Sequence, residues 1–211
     1  MTKYILFFIG CCILFAPLRS QNVEPIKFVH IGLNEGLSQS TIFGITQDKQ
    51  GNMWFATYNG LNKYNGYDFT VYQHDEHNPH SISNDIIRSC TADRLGKIWI
   101  GTDSGLSFYN ADKDRFENFS SEDRGEQVPI NGIVEFNDHE LLLFSNKKKL
   151  LLFNTETSQF SCKMPESSLE SLLPTVVARQ GDYIYIGSNN KVYTYSLAAN
   201  TLSSFVLSDN L

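Results

Sequence analysis

One short segment of the sequence concentrates side chains that could bind a metal ion. His74, Asp75, Glu76, His77 and His80 lie within seven residues. Imidazole and carboxylate groups are the side chains that zinc prefers alongside cysteine. The segment has no helical periodicity, so no regular element fixes the three imidazoles on one side of the backbone. We therefore favour a solvated connecting loop over a zinc site, and we predict no metal and no cofactor.

Nucleophilic catalysis has no recognisable basis in this sequence. The Gly-x-Ser-x-Gly pattern, which exposes a serine nucleophile on a strained turn, does not occur. Carboxylates are numerous because the chain is acidic, with 23 Asp and Glu against 17 Lys and Arg. No pair among them stands out as a general acid with its base. We therefore predict no catalytic residue and no enzyme activity.

The first 20 residues have the pattern of a secretory signal peptide. Lys3 gives a positive start, and residues 4–15 form an apolar run of 12 residues. A bilayer span needs about 20 such residues, so an uncleaved membrane anchor is the less favoured alternative. A lipoprotein cleaved before Cys11 is also disfavoured, because the apolar run continues beyond it. We predict an exported chain.

Composition favours strands and excludes several classes of protein. Aromatic residues make up 13% and hydrophobic residues 41% of the chain, which is enough for a packed core. The net charge of −6 argues against binding of nucleic acid. Beyond the signal segment only Cys90 and Cys162 remain, and both fall in predicted strands. We expect two buried free thiols rather than a disulfide.

Internal repeats organise the chain after the signal segment. Residues 51–57, Gly-Asn-Met-Trp-Phe-Ala-Thr, match residues 96–102, Gly-Lys-Ile-Trp-Ile-Gly-Thr, at an offset of 45. Each block is followed by Gly-Leu-x-x-Tyr-Asn at that offset. Two weaker copies, over residues 140–154 and 182–195, follow at offsets of 44 and 42. The large central residue of each repeat is predicted to lie in the core between repeats, and these residues are Trp54, Trp99, Leu143 and Tyr185.

Each repeat contains four short extended runs separated by turn residues. Four strands in a period of 42 to 45 residues are typical of a β-propeller blade. The sequence therefore predicts an all-β fold of four four-stranded antiparallel blades, with the first strand of each blade facing the propeller axis. The predicted boundaries are 36–80 (blade 1), 81–124 (blade 2), 125–170 (blade 3) and 171–211 (blade 4).

Residues 24–35 are predicted to form a closing outer strand and the loop that follows it. Ile26–Ile31 occupies the position of a fourth blade strand, before the first complete blade. Four blades lie at the low end of the known range of about 4 to 8. We expect an incomplete propeller of seven blades and the N-terminal part of a longer or truncated protein. Closure at four blades is the alternative.

The repeats resemble a known family. The pattern Gly-x-ϕ-Trp-ϕ-Gly-Thr-x-x-Gly-Leu-x-x-Tyr-Asn, in which ϕ is apolar, is similar to the two-component regulator propeller repeat. Residues 32–38 and 78–87 resemble the connections between blades in that family. The resemblance covers roughly residues 24–211. It is strong in blades 1 and 2 and weaker in blades 3 and 4, where Leu143 and Lys149 replace the tryptophan and the hairpin glycine of blade 3.

The resemblance implies a place in signal transduction. It implies the periplasmic sensor region of a hybrid two-component sensor histidine kinase from Bacteroidetes, anchored in the inner membrane and homodimeric at full length. Many such sensors respond to oligosaccharides from complex glycans, and further blades and signalling modules would belong to the longer chain. This sequence contains no kinase module. A propeller enzyme of lyase or hydrolase type and a protein-binding scaffold are the alternatives.

The tips of the second hairpin in each blade are the predicted ligand-binding positions. Propellers usually bind ligands with loops on one face near the axis. The residues at these tips are Tyr58, Asn59, Asp103, Asn146 and Asn189. Their aromatic, amide and carboxylate groups suit the rings and hydroxyls of an oligosaccharide. The same residue types also favour tight turns for backbone reasons alone, and that explanation carries more weight from the sequence.

Overall fold

The regular secondary structure of the described residues is almost wholly antiparallel sheet. The computed structural model describes residues 27–120, 122–123, 126–145, 150–161, 172, 174–188 and 191–206. Each blade is a four-stranded sheet whose strands are paired in chain order. A short 3₁₀ helix, Leu33–Glu35, precedes blade 1. The predicted all-β fold of four four-stranded antiparallel blades is confirmed.

The strands of each blade are as follows. Blade 1 contains Ile42–Gln47 (β1), Met53–Thr57 (β2), Gly60–Tyr64 (β3) and Phe69–Tyr72 (β4). Blade 2 contains Ile87–Ala92 (β5), Ile98–Thr102 (β6), Gly105–Asn110 (β7) and Arg115–Phe119 (β8). After the short strands Glu122–Asp123 (β9) and Glu126–Gln127 (β10), blade 3 contains Gly132–Glu135 (β11), Glu140–Phe144 (β12), Leu150–Asn154 (β13) and Gln159–Ser161 (β14). Blade 4 contains Val176–Gln180 (β15), Tyr183–Ser188 (β16), Lys191–Ser196 (β17) and Thr201–Val206 (β18).

The chain divides into two compact units, residues 1–30 and 31–211, and all four blades belong to the second. The predicted signal peptide lies outside the described residues. Lys27–His30 are assigned to no helix or strand, and Phe28 is 89% exposed. The closing strand has no partner among the described residues and stays a prediction. Across the described parts of the chain, no helix is long and apolar enough to cross a bilayer.

Neighbouring blades pack face to face through their second strands. The first strands β1, β5, β11 and β15 lie side by side in that order, as they do around a propeller axis. In β6, Ile98 and Ile100 pack toward blade 1, whereas Trp99 packs toward blade 3. The second strand is thus buried on both faces, which explains why its sequence is continuously apolar rather than alternating.

Leu143 is buried between blades 2 and 3, but it lies on the opposite face of its strand from the face that Trp99 occupies in blade 2. Leu143 packs toward blade 2, as Ile100 in the preceding blade packs toward blade 1. Leu142 packs toward blade 4, as Trp99 packs toward blade 3. The repeat equivalent of Trp99 is therefore Leu142, at an offset of 142 − 99 = 43 rather than 44. A slip of one residue moves a strand side chain to the opposite face of its sheet.

The four predicted core residues differ in burial. Trp54, Trp99 and Leu143 are buried. Tyr185 is only half-buried, while its neighbours Ile184 and Ile186 are fully buried against blade 3. Tyr185 faces away from blade 3, and the described residues place no further blade on that side.

A two-stranded hairpin between blades 2 and 3 has no counterpart in the sequence prediction. The strands β9 and β10 pair as Glu126 with Asp123 and Gln127 with Glu122. These residues are polar and carry none of the alternating apolar side chains by which strands are found in a sequence. The hairpin lies in the connection between two blades and adds no strand to either blade sheet.

Candidate ligand-binding face of blades 1 and 2

The second hairpins of blades 1 and 2 are built by the same turn. The hydroxyl of Thr57 donates to the carbonyl of Gly60 at 2.7 Å and accepts from the Asn59 amide at 3.2 Å. Thr102 repeats both bonds, to Gly105 at 3.2 Å and from the Ser104 amide at 3.0 Å. The second residue of each turn, Tyr58 or Asp103, therefore occupies an equivalent place at the tip.

Glycine is required where each of these turns enters the next strand. Gly60 and Gly105 have φ values of +98° and +123°, in the region that favours glycine. A Cβ atom on Gly60 would lie 2.7 Å from the Tyr72 carbonyl oxygen, and one on Gly105 would lie 2.5 Å from that of Phe119. The Thr-x-x-Gly pattern of the repeat thus fixes the position of the two tips.

A β-bulge interrupts the first strand of both blades beside these tips. In blade 1, Ile42 pairs with Thr57 and Gly44 pairs with Ala56, so Phe43 is the extra residue. In blade 2 the same interruption leaves Arg88 as the extra residue of β5. Phe43 and Arg88 are 45 residues apart and therefore equivalent in the repeat. Bulges turn a side chain out of the regular pleat and often occur beside binding sites.

The bulges and tips bring four side chains together into what we call the bulge site: Phe43, Tyr58, Arg88 and Asp103. The rings of Phe43 and Tyr58 have centroids 5.8 Å apart. The Arg88 guanidinium carbon lies 5.7 Å from each ring centroid. Blade 1 contributes the aromatic pair and blade 2 the charged pair, each from equivalent positions.

Arg88 and Asp103 form a bidentate ion pair. The Arg88 Nε atom donates to Asp103 Oδ1 at 2.6 Å, and Nη2 donates to Oδ2 at 3.0 Å. These hydrogen bonds raise the pKa of Arg88 above its ordinary value against the opposing effect of burial, so the guanidinium is always charged. Both side chains are 28% exposed, so solvent and ligands can reach them.

The bulge site has accessible aromatic faces and a neutral polar rim. Phe43 is 42% and Tyr58 47% exposed, so both rings present a face to solvent. Amide and hydroxyl groups flank the two tips in pairs: Gln73 donates to Asn59 at 3.1 Å, and Asn84 donates to Ser104 at 3.0 Å. The arrangement offers ring faces, hydrogen-bond donors and hydrogen-bond acceptors within a single patch.

The structure brings some of the predicted ligand-binding residues together. Arg88 contacts both Tyr58 and Asp103, and Asn59 lies on the rim of the bulge site. Asn146 and Asn189 lie outside the described residues. The sequence prediction missed Phe43 and Arg88, because a bulge depends on strand pairing. The one sequence signal that could have identified Phe43 and Arg88 as site residues is that they are 45 residues apart and therefore occupy the same position of the repeat.

A second concave surface lies between blades 1 and 2 at the opposite edge of the sheets. It is a crevice of about 560 Å³ that includes Asp48, Asn52, Lys63 and Lys97 among its lining. The carboxylate of Asp48, which lines this crevice, already has partners within the protein. It accepts from the Asn52 amide at 2.9 Å and from Trp54 Nε1 at 2.9 Å. These bonds hold a turn in place, so the crevice is a weaker candidate than the bulge site.

The histidine-rich segment is a hydrogen-bonded loop. His74 Nδ1 lies 2.8 Å from the Ile82 carbonyl oxygen. His77 is 96% exposed beside Asp75. His80 Nε2 lies 3.5 Å from Arg115. The three imidazoles thus have different partners, and within the described residues no three potential ligands come together to hold a metal ion.

Cys90 is a free thiol on the first strand of blade 2. Its Sγ atom lies 3.8 Å from the Trp54 carbonyl oxygen. Burial raises the pKa of Cys90 to about 12, so the thiol is protonated at neutral pH. Cys162, the other cysteine predicted to be free, lies outside the described residues.

Comparisons with known proteins give a consistent result. A family model described as "Two component regulator propeller" matches residues 36–59. Histidine kinase P4 of Formosa agariphila is 39% identical over 66 residues, which are 31% of this chain and 5% of that protein. The chain therefore spans a small part of this curated relative.

Two solved structures share the fold. The extracellular domain of the hybrid two-component system BT3049 from B. thetaiotaomicron matches with a TM-score of 0.67 and 24% identity, over 84% of this chain and 26% of that one. The extracellular domain of the system BT4673 from the same organism matches with a TM-score of 0.64 and 17% identity, over 82% and 23% of the two chains. The family match over residues 36–59 and the copy of that repeat at the offset of 45 show that the chain contains two-component regulator propeller repeats.

Proposed function

We propose that the chain is a non-catalytic sensor segment of an exported two-component signalling protein, and that it binds a carbohydrate at the bulge site. The observation that carries the proposal is the meeting of two exposed rings with the Arg88–Asp103 pair. Sites for small ligands combine apolar faces with a few fixed polar groups. An aromatic face can pack against the C–H groups of a sugar ring while planar polar side chains bind its hydroxyls.

The sensor role is supported by the kind of protein that this chain is similar to. The two solved structures are described as extracellular domains of hybrid two-component systems. The chain spans 26% and 23% of them, so further blades and signalling modules are proposed as parts of a longer protein. The apolar run at residues 4–15 supports export to the periplasm.

Removing the ring of Tyr58 tests the binding site. The purified full chain would be screened on an array of neutral and acidic oligosaccharides, and the glycans retained would be titrated calorimetrically. Tyr58→Ala is expected to weaken binding about tenfold, because it removes the buried ring face together with an aromatic contact of about 0.5–1.5 kcal/mol. Tyr67→Ala is the matched control, since Tyr67 is 88% exposed in the turn at the opposite edge of blade 1.

Three results would contradict the proposal. If the chain bound no glycan on the array, the proposal of a carbohydrate ligand would be wrong. Equal losses in Tyr58→Ala and Tyr67→Ala would place the ligand elsewhere. Turnover of a polysaccharide by the purified chain would favour a propeller enzyme of lyase or hydrolase type instead.

A further inference from the structure

The Arg88–Asp103 pair presents donors and acceptors side by side. The pairing uses Nε and one hydrogen of Nη2 on the guanidinium, and one lone pair on each carboxylate oxygen. The Tyr58 hydroxyl also forms a hydrogen bond with the guanidinium. The Nη hydrogens that are left are donors toward a ligand, and each Asp103 oxygen keeps an acceptor site. The pair carries no net charge, so it differs from an isolated arginine that awaits an anion.

Neighbouring hydroxyls on a sugar ring match this arrangement. A hydroxyl both donates and accepts, so one hydroxyl can accept from Arg88 while the next donates to Asp103. An ionised carboxylate or a sulfate has only acceptors. Such a group could satisfy Arg88, but it would leave the acceptors of Asp103 unused and would face their negative charge.

The surroundings of the pair reinforce this preference. The residues at the two hairpin tips other than Asp103 are neutral: Tyr58, Asn59 and Ser104. The backbone carbonyl of Asp85 accepts from the Gly60 amide at 2.7 Å, and the Asp85 carboxylate accepts from the His74 amide at 2.7 Å. The tips therefore bring no second cation to the Arg88–Asp103 pair.

We propose that the bulge site selects an uncharged sugar, which packs on Phe43 and Tyr58 and binds the Arg88–Asp103 pair through two neighbouring ring hydroxyls. The proposal rests on the carbohydrate-binding role of this site and adds its chemical selectivity. Asp103 acts in it as a specificity residue, because its carboxylate neutralises Arg88 and repels acidic sugars.

The test is a change of selectivity. The full chain and its Asp103→Asn variant would be probed with an array of neutral oligosaccharides together with uronate-containing and sulfated ones. The unmodified chain is expected to bind neutral glycans at least tenfold more tightly than acidic ones. Asp103→Asn leaves the guanidinium charge uncompensated, so it is expected to lose neutral binding about tenfold and to gain binding of acidic glycans. Asp68→Asn, in an exposed turn at the opposite edge of blade 1, removes the same charge and should change neither.

The outcomes separate this inference from the proposed function. Tyr58-dependent binding that favours acidic glycans would overturn the selectivity and leave the carbohydrate site standing. Binding to no glycan would overturn both. Arg88→Gln is the second variant and guards against a folding failure of Asp103→Asn. It should lose neutral binding without gaining acidic binding, and retention of neutral binding in a folded Arg88→Gln protein would also overturn the inference.

Discussion

Leucine and isoleucine fill much of both the interface between blades 1 and 2 and the interface between blades 3 and 4, but the first interface adds a larger cluster of aromatic rings and hydrogen bonds. At the first interface the Trp54 ring lies 4.8 Å from that of Tyr109, and Tyr72 packs edge-on against Phe116 at 5.3 Å. At the second interface the buried residues are chiefly aliphatic; Phe136 stacks on Tyr195, and Phe144 and Tyr193 pack at the margin. The same four-stranded blade is therefore stabilised in two ways.

A hydrogen bond anchors the tryptophans of the first two blades. Trp54 Nε1 donates to Asp48 at 2.9 Å, and Trp99 Nε1 donates to Asp93 at 3.0 Å. Burial by itself would raise the pKa of Asp48, but the hydrogen bonds from Asn52, Trp54 and Gln50 outweigh it and hold that pKa below its ordinary value. Leu142, the equivalent residue in blade 3, has no polar group with which to make such a bond.

The difference between the blades extends to the binding face. The bulges that direct Phe43 and Arg88 occur in blades 1 and 2. In blade 3 the first strand begins at Gly132 and pairs with β12 without interruption. The blades that keep the full repeat motif thus also carry the bulge site. Blades 1 and 2, which keep the full motif, carry both a bulge and a hydrogen-bonded hairpin tip. Blade 3 lacks the motif and, in its described residues, the bulge, and leucine side chains are enough to pack it against its neighbours.

Truncation of Trp54 should have the largest effect on stability. Trp54→Ala removes a fully buried ring, its hydrogen bond to Asp48 and its contact with Tyr109, and should lower the free energy of unfolding by about 3–5 kcal/mol. Leu142→Ala should cost less, because it removes less apolar surface and no hydrogen bond. Urea unfolding followed by circular dichroism measures both. A larger loss in Leu142→Ala would show that the aliphatic interface is the stronger one.

A glycine position shared by blades 2 and 4 should show an intermediate effect. A Cβ on Gly101 would lie 2.3 Å from the backbone carbonyl oxygen of Ile130, whereas a Cβ on Gly187 would lie 2.7 Å from the Val176 side chain. Val176 is 57% exposed and can move aside. Gly101→Ala should therefore cost about 1–3 kcal/mol, and Gly187→Ala less than about 1 kcal/mol. Equal midpoints of thermal unfolding for the two variants would argue against a tighter fit between blades 2 and 3.

Much of the architecture could be predicted from the sequence, because the same strand and turn residues recur in each repeat. The Thr-x-x-Gly turns and the Trp-centred strands recur at a fixed offset, and each feature has a local physical cause. Tyr58 and Asp103 could be placed at equivalent tips for that reason. The sequence could also show that the second strand is buried on both faces, because apolar residues in it are consecutive.

The features that the sequence did not reveal depend on register. Leu141–Leu143 is a run of identical side chains, so its pattern is the same in either register, and the offset of 44 aligned Leu143 with Trp99 although Leu142 packs on the equivalent face. The bulges at Phe43 and Arg88 are defined by which residues pair across the sheet, and no residue type in the sequence requires them. Two of the four residues of the bulge site, Phe43 and Arg88, therefore could not be predicted from the sequence.

A polar contact joins blades 1 and 2 at the carboxylate of Asp114, and in blade 4 the hydroxyl of Tyr195 donates in the same way to the uncharged Asn200. Asp114 accepts hydrogen bonds from Tyr109 at 2.6 Å and from Tyr72 at 2.8 Å. These bonds lower the pKa of Asp114 below its ordinary value. Burial raises the pKa of Tyr109 to about 12, so its hydroxyl remains a donor through the neutral range.

The smallest expected effect is the dependence of this contact on pH. A carboxylate whose pKa is lowered by folding stabilises the fold above its unfolded pKa of about 3.9, and this contribution is lost as the pH falls through the folded pKa. Asp114→Asn keeps the side-chain shape and tolerates the local φ of 44°, but it cannot titrate. Between pH 7 and pH 3 the unmodified chain should lose more stability than Asp114→Asn, by less than about 1 kcal/mol because the contact is exposed.

Asp112→Asn, a change in the same turn, should follow the unmodified chain. Identical pH profiles for all three proteins in urea unfolding would mean that the contact between blades 1 and 2 rests on its aromatic packing alone.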